Sequence, residues 1–474
     1  MTLEQILAVR PSPGLPRAYQ FPPFQRTILP SGMQVLTVHV PGRPLVSANL
    51  LVRQGASDEP APLAGVTILA ARALTEGTAR YPGVELIEAS ERLGATLHAE
   101  ASWDVFAASV DVAAPRLRAA LELLAELVLH PTFPEEDVAR LRDERLNDLL
   151  QARAEPRRRV EQAFAASIYT ADSPYSRSVA GDEESVPRLS RDRLVAIHQA
   201  LLRPERAALI VGGDLSGLDL PRMASEVFGA LGSVPGGRGD GNAVAAPRAE
   251  SAIDRTIVRL HDRPGSVQSE VRIGHVGIPR RVPDFHAVQV MASILGGLFN
   301  SRLQMNLRED KGYTYGIGAG FDMRRGAGPF AVRTAVHTAA TVRAISESLA
   351  ELRRIRESRV TDAELAAARD YLVGVFPLRF ETPGAVVAAL GGLFAHGLPD
   401  DELARYRPLV EAVTAEDVQT AALEHIDPDR VAIVVVGDAD AIASDLEAAG
   451  FGELEIVREE VSGDGSDSEV EVAE

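Results

Sequence analysis

The chain has 474 residues, with 49 Lys+Arg against 67 Asp+Glu and a formal charge of −18; this opposes a general nucleic-acid surface, which needs clustered positive charge. It has no cysteine, which excludes a disulfide framework, a thiolate zinc or iron–sulfur site and a thiol nucleophile. Lys311 is the only lysine, so Schiff-base chemistry has one candidate and, because Gly312 follows it, a Walker-type phosphate loop has none.

A length prior of roughly 150 residues per domain predicts about three units. In chain order, Met1 to Pro16 contains Glu4 and no continuous apolar core, so it does not read as a signal peptide. No apolar run reaches the roughly 18 residues that span a bilayer, so a cytoplasmic chain without membrane contact is expected. Strand patterns follow at 32–38 and 50–52. Val138, Leu141, Leu146, Leu149 and Leu150 recur at helical spacing and predict one apolar helix face. The run Ala207-Ala208-Leu209-Ile210-Val211 reads as a buried strand. Residues 232–251, rich in Gly, Pro and Ala, read as a linker, and the Arg-Gly-Asp triplet within them as chance. Thr361 with Glu364 offers a capping box for a helix through Leu365, Ala368 and Leu372. Residues 459–474 hold seven acidic residues and no basic one, the composition of a solvated tail.

The two sides of the linker repeat each other. Pro204 to Asp214 matches Pro428 to Asp438 in register, and FPEEDVARLRD from Phe133 matches VTDAELAAARD from Val360. Strands and helices interleave without strict βαβ alternation, so the expected class is α+β: two homologous halves, each a mixed or antiparallel sheet packed with helices. The expected division is 1–231, a linker at 232–254, a second unit at 255–450 and an acidic tail at 451–474.

The run LPSGMQVLTVHVPGRPLVSANLLVRQGASDEP from Leu29, and LGGLFNSRLQMNLREDKGYTYGIGAGF from Leu295, resemble the pitrilysin/insulinase-type zinc metallopeptidases (inverzincins) and their processing-peptidase relatives. The resemblance covers roughly Arg26 to Leu446 and implies that the two halves form one half of a clam shell. Active members carry His-x-x-Glu-His shortly before Gly-Thr, because two imidazoles one helical turn apart bind Zn²⁺ and the intervening Glu activates water. Counting back from Gly77-Thr78 finds Ile68, Leu69, Ala70, Ala71 and Arg72 in those places, and the expected third ligand is Gln151. The nearest two of the ten histidines, His275 and His286, are eleven residues apart, so no pair shares adjacent helical turns. No catalytic or metal-ligating residue is therefore assigned, and Ile68, Ala70 and Ala71 read as helix packing.

Family members also hold substrate backbone with an arginine and a tyrosine seven residues apart, and the matching residues are Arg308 and Tyr315. A guanidinium fork and a phenol suit carbonyl oxygens or a developing oxyanion. Arg308 is expected at the end of a helix through Leu303 and Leu307, with Tyr315 on the following strand, where alternation would put Tyr313 on the same face. The bland readings are a helix-dipole or salt-bridge arginine and a packing tyrosine. Ser301-Arg302 and Gly296-Gly297 could shape the same wall, the glycines more simply as turns. The resemblance implies a noncatalytic, peptide-binding subunit whose homologous partner chain supplies the zinc. The alternative is a pseudo-peptidase that acts as a structural or peptide-binding scaffold without an active partner. A hydrolase of other chemistry has no Gly-x-Ser-x-Gly elbow to rest on.

Overall fold

The computed structural model describes residues 14, 17–42, 44–232 and 245–458. Residues 1–13, the Arg-Gly-Asp triplet, most of the expected 232–254 linker and the acidic run from Glu459 lie outside the described residues.

Among the described residues, twelve strands form two six-stranded sheets. The first contains β1 (Phe24–Ile28), β2 (Gln34–His39), β3 (Leu45–Val52), β4 (Thr96–Ala101), β5 (Phe106–Ala113) and β6 (Ala207–Gly213), in the order β1-β2-β6-β3-β5-β4. The second contains β7 (Ile257–Asp262), β8 (Gln268–Val276), β9 (Ile317–Phe321), β10 (Pro329–His337), β11 (Ala432–Gly437) and β12 (Glu453–Val457), in the order β12-β7-β11-β8-β10-β9. The first sheet has one parallel pair, β2–β6, in an otherwise antiparallel set, and the second has the equivalent parallel pair β7–β11 beside antiparallel β11–β8–β10–β9. The α+β duplication expected from the repeats is present, and the repeated segments fall on equivalent elements: β6 with β11, and the helix Glu135–Ala154 with Asp362–Val375. The outer edges differ, since β1 pairs antiparallel with β2 whereas β12 pairs parallel with β7. The strand at 453–457 carries ordered chain past residue 450, where the tail was expected to begin. Its alternation explains this, because Leu454 packs against the second core while the glutamates beside it face outward.

Both sheets are buried on both faces, which is why β6 and β11 read as continuous apolar runs. One face of the first sheet, through Val35, Leu50, Val110 and Leu209, packs on helices of its own half. The other, through Leu36, Leu51, Ala208 and Ile210, is covered by Val386, Val387, Leu390, Leu393 and Phe394 of the helix Pro383–His396, which belongs to the second half. Close approach is built in: a Cβ on Gly391 would lie 2.9 Å from Leu51 Cδ1, and one on Gly212 would lie 2.8 Å from Val387 Cγ2. The exchange is reciprocal. The helix Pro156–Ile168 of the first half lays Val160, Phe164 and Ile168 on Ala331, Ala432, Val434 and Val436 of the second sheet. Charged contacts reinforce the junction. Arg272, only 2% exposed on β8, bonds Glu161 of that helix at 2.8 Å and Glu270 at 3.2 Å. Arg325 reaches Asp58 at 2.7 Å, and its amide donates to Asp104 Oδ2 at 2.8 Å.

His198 is buried against Phe133, with Nε2 2.8 Å from the Val128 carbonyl oxygen. Burial holds its pKa down to about 4, and that hydrogen bond opposes the shift only in part. The unfolded chain therefore binds the proton first as pH falls, so stability is intact above about pH 6.5 and is lost between there and pH 4, by roughly 3 kcal/mol for this group. Urea unfolding midpoints at pH 7 and pH 4.5 should show that drop in the wild type and a smaller one in His198→Gln; equal drops would assign the acid sensitivity elsewhere.

Candidate functional site

The helix Val66–Ala73 occupies the place of the zinc motif. Its N-terminus is held by Glu59, whose carboxylate accepts from the amides of Gly65 at 2.8 Å and Thr67 at 2.5 Å. An anion at this end suits the helix dipole, although burial still raises the Glu59 pKa. Ala70 and Ala71 are fully buried and Ile68 is half-buried, so these three pack the helix as the sequence suggests. Arg72 is exposed, and its guanidinium donates to Glu144 Oε2 at 3.0 Å on the facing helix Glu135–Ala154. Arg140 extends the network to Glu144 at 2.7 Å, Glu76 at 2.6 Å and Asp137 at 3.1 Å. Gln151 is exposed two turns beyond Glu144 on that helix. These residues do not fit a zinc ion. The two histidine places hold an aliphatic side chain and a permanent cation, and that cation is already paired. Among the described residues, Asp284, Glu424 and His425 bring ligand-type atoms within 4.8 Å of one another, but His425 Nε2 is already 2.7 Å from Asp284 Oδ2 and Glu424 is exposed.

The second candidate region runs from the helix Phe285–Ala292 to β9. It contains two π-helical segments, Ser293–Gly297 and Gln304–Asp310. Such segments are rare and gather at functional sites. Leu303 and Leu307 are fully buried, as their spacing predicts, but the turn that carries Arg308 is π rather than α. The Arg308 guanidinium lies over the Phe299 ring, 4.6 Å from its centroid, and its nearest carboxylate is that of Glu309 at 3.5 Å. Tyr315 is 93% exposed, and its phenol has no hydrogen-bond partner among the described residues.

Tyr315 does not lie on the strand, as expected from sequence, but in the turn before β9, which begins at Ile317. Thr314 is the reason. Its Oγ1 lies 2.7 Å from the Ala335 carbonyl oxygen and 2.9 Å from that of Gly316, and it accepts from the Gly316 amide at 3.0 Å. These local bonds take the backbone out of the ladder. Tyr313 consequently leaves the face of Tyr315, packing on the second core with Arg343 5.0 Å above its ring. Arg302, also considered for this wall, is a buried structural cation that binds Glu364 at 2.6 and 3.1 Å. Burial would raise the Glu364 pKa, but the Arg302 bonds and the Thr361 cap overcome it and hold that carboxyl at about 2. Gly296 serves packing, since a Cβ there would meet Ala319 N at 2.3 Å. The Arg72–Glu144 pair and the Phe299 stack were missed in the sequence reading. An arginine in a ligand place and an aromatic directly after Gly296-Gly297-Leu298 were the available signals.

Comparison with known families places these residues in one frame. The pattern described as insulinase (peptidase family M16) matches residues 34–183, and that described as peptidase M16 inactive domain matches residues 188–372. The chain belongs to the M16 peptidase family. The M16 frame covers both candidate regions. An uncharacterized zinc protease of Mycobacterium bovis is 25% identical over 433 residues, 90% of this chain and 96% of its own. A Helicobacter pylori protein named a non-peptidase homolog is 23% identical over 363 residues, 75% of this chain and 80% of its own. A Pseudomonas fluorescens crystal structure, described as a peptidase M16 inactive domain, superposes with a TM-score of 0.80 at 26% identity, covering 88% of this chain and 98% of that one. With Ile68, Ala71 and Arg72 in the motif places, this M16 chain carries none of the His-x-x-Glu-His side chains there.

Proposed function

We propose that this chain is the noncatalytic, peptide-binding subunit of a heteromeric M16 metallopeptidase, with a homologous partner chain supplying the zinc site. The observation that carries the reading is a contrast between the halves. The motif helix has its ligand places closed by Ile68 and the paired Arg72, whereas Tyr315 is exposed and Arg308 makes no hydrogen bond among the described residues, its one carboxylate neighbour there being Glu309, 3.5 Å from Nε. Guanidinium and phenol groups so placed donate to backbone carbonyl oxygens of an extended or unfolded peptide and hold it while the partner hydrolyses it. The cytoplasm is the proposed compartment; a chain without cysteine has no dependence on an oxidising one.

The test is purification of the tagged chain from its native host, zinc analysis of what accompanies it, and cleavage of an unfolded peptide. A zinc-bearing homologue should copurify. Losing hydrogen bonds from a charged donor should lower cleavage at least about tenfold in Arg308→Ala/Tyr315→Phe, with an unchanged melting temperature because neither side chain is buried. If the chain comes out alone, zinc-free and inert, the scaffold reading replaces this one.

A further inference from the structure

Phe299 is 68% exposed between the two π-helical segments, while its neighbours Leu298 and Leu303 are buried. An aromatic ring left in water forgoes the burial that normally stabilises it, so what rests on it is informative. Only the Arg308 guanidinium stacks on it, 4.6 Å from the ring centroid, among the cation–aromatic contacts of the described residues. Arg308 forms no hydrogen bond among the described residues, and Glu309 at 3.5 Å is its single carboxylate neighbour there. Arg302 shows the opposite solution in the same segment, with its fork taken up by Glu364. A carboxylate fixes a guanidinium by using its N–H groups, whereas a ring fixes it by its face and leaves every in-plane donor free.

Building on the peptide-binding reading above, we propose that Phe299 is the positioning residue for Arg308, a ring platform that orients the guanidinium toward the carbonyl oxygens of a bound extended peptide. The two π segments set the platform. The first brings the Gly296 backbone against Ala319 of β9, and the second turns Arg308 back over the ring. Phe299 acts through Arg308, so its contribution disappears when Arg308 is absent.

The test titrates a fluorescein-labelled disordered peptide with the full chain, following anisotropy, for Phe299→Leu, Phe299→Tyr, Arg308→Ala and the double variant Phe299→Leu/Arg308→Ala. An exposed cation–ring contact predicts about a threefold loss of affinity in Phe299→Leu, affinity near wild type in Phe299→Tyr, and a loss of about tenfold or more in Arg308→Ala. The double variant should match Arg308→Ala alone, because the two positions are coupled. Melting temperatures should stay together, since the ring is exposed. Wild-type affinity in Phe299→Leu, or a further loss when it is added to Arg308→Ala, overturns the positioning role and leaves the peptide-binding reading standing. No peptide affinity in the wild type, or none lost in Arg308→Ala, overturns that reading and this inference with it.

Discussion

Replacing Leu390 and Phe394 with alanine should destabilise the chain by about 5 kcal/mol or more, and the damage should appear in the half to which neither residue belongs. Both lie on the helix Pro383–His396, fully buried against Leu36, Leu51, Ala208 and Ile210 of the first sheet. Phe394 also carries Arg53 over its ring at 4.5 Å. Truncation leaves a cavity between helix and sheet, and the two losses are not independent because the residues share neighbours. Amide exchange is the discriminating measurement. Protection should fall across β3 and β6 as far as it falls across the helix, with both halves melting in one transition. Loss confined to residues 257–457 would show that the first half stands without its borrowed cover.

The second large effect concerns zinc. Ile68 and Arg72 stand one turn apart on one helix, and the Arg72–Glu144 bond shows that this helix meets Glu135–Ala154 there. Gln151 follows Glu144 by seven residues, two turns along the same helix. Ile68→His/Arg72→His/Gln151→Glu should therefore take the dialysed chain from no bound zinc to about one per chain, with two imidazoles and one carboxylate as ligands. Zinc at about a hundred times its dissociation constant should add about 2.7 kcal/mol to unfolding. Ala71 is left unchanged because it is fully buried, and a carboxylate there would need desolvating. A folded triple variant that takes up no zinc would show that these helix faces do not present the family's ligand geometry.

What was legible in the sequence follows the range of the forces involved. The strands β6 and β11 were readable because burial on both faces writes an unbroken apolar run, and the capping box at Thr361 is a contact between near neighbours. The loss of the motif was readable because it is a matter of residue identity at Ile68, Ala71 and Arg72. The cover on the second face of each sheet was not. Nothing in the period of Val386, Leu390 and Phe394 says that they lie on Ile210 rather than on their own half. Tyr315 was misplaced for a local reason, since the side chain of Thr314 competes with the ladder and alternation cannot register that. The π turn at Arg308 escaped for a similar one, because Leu303 and Leu307 suit either helix type.

The reciprocal exchange of helices also sets an order of events during synthesis. The first sheet is complete once β6 has left the ribosome, but the helix that shields its second face is encoded at residues 383–396. Until then the nascent chain presents Leu36, Leu51 and Ile210 on an open apolar sheet. The helix Pro156–Ile168, by contrast, emerges first and waits with Val160, Phe164 and Ile168 uncovered for β11 to arrive. Neither half can finish folding before the other has been translated, so a ribosome stalled between them holds a sticky intermediate that a holdase chaperone would bind.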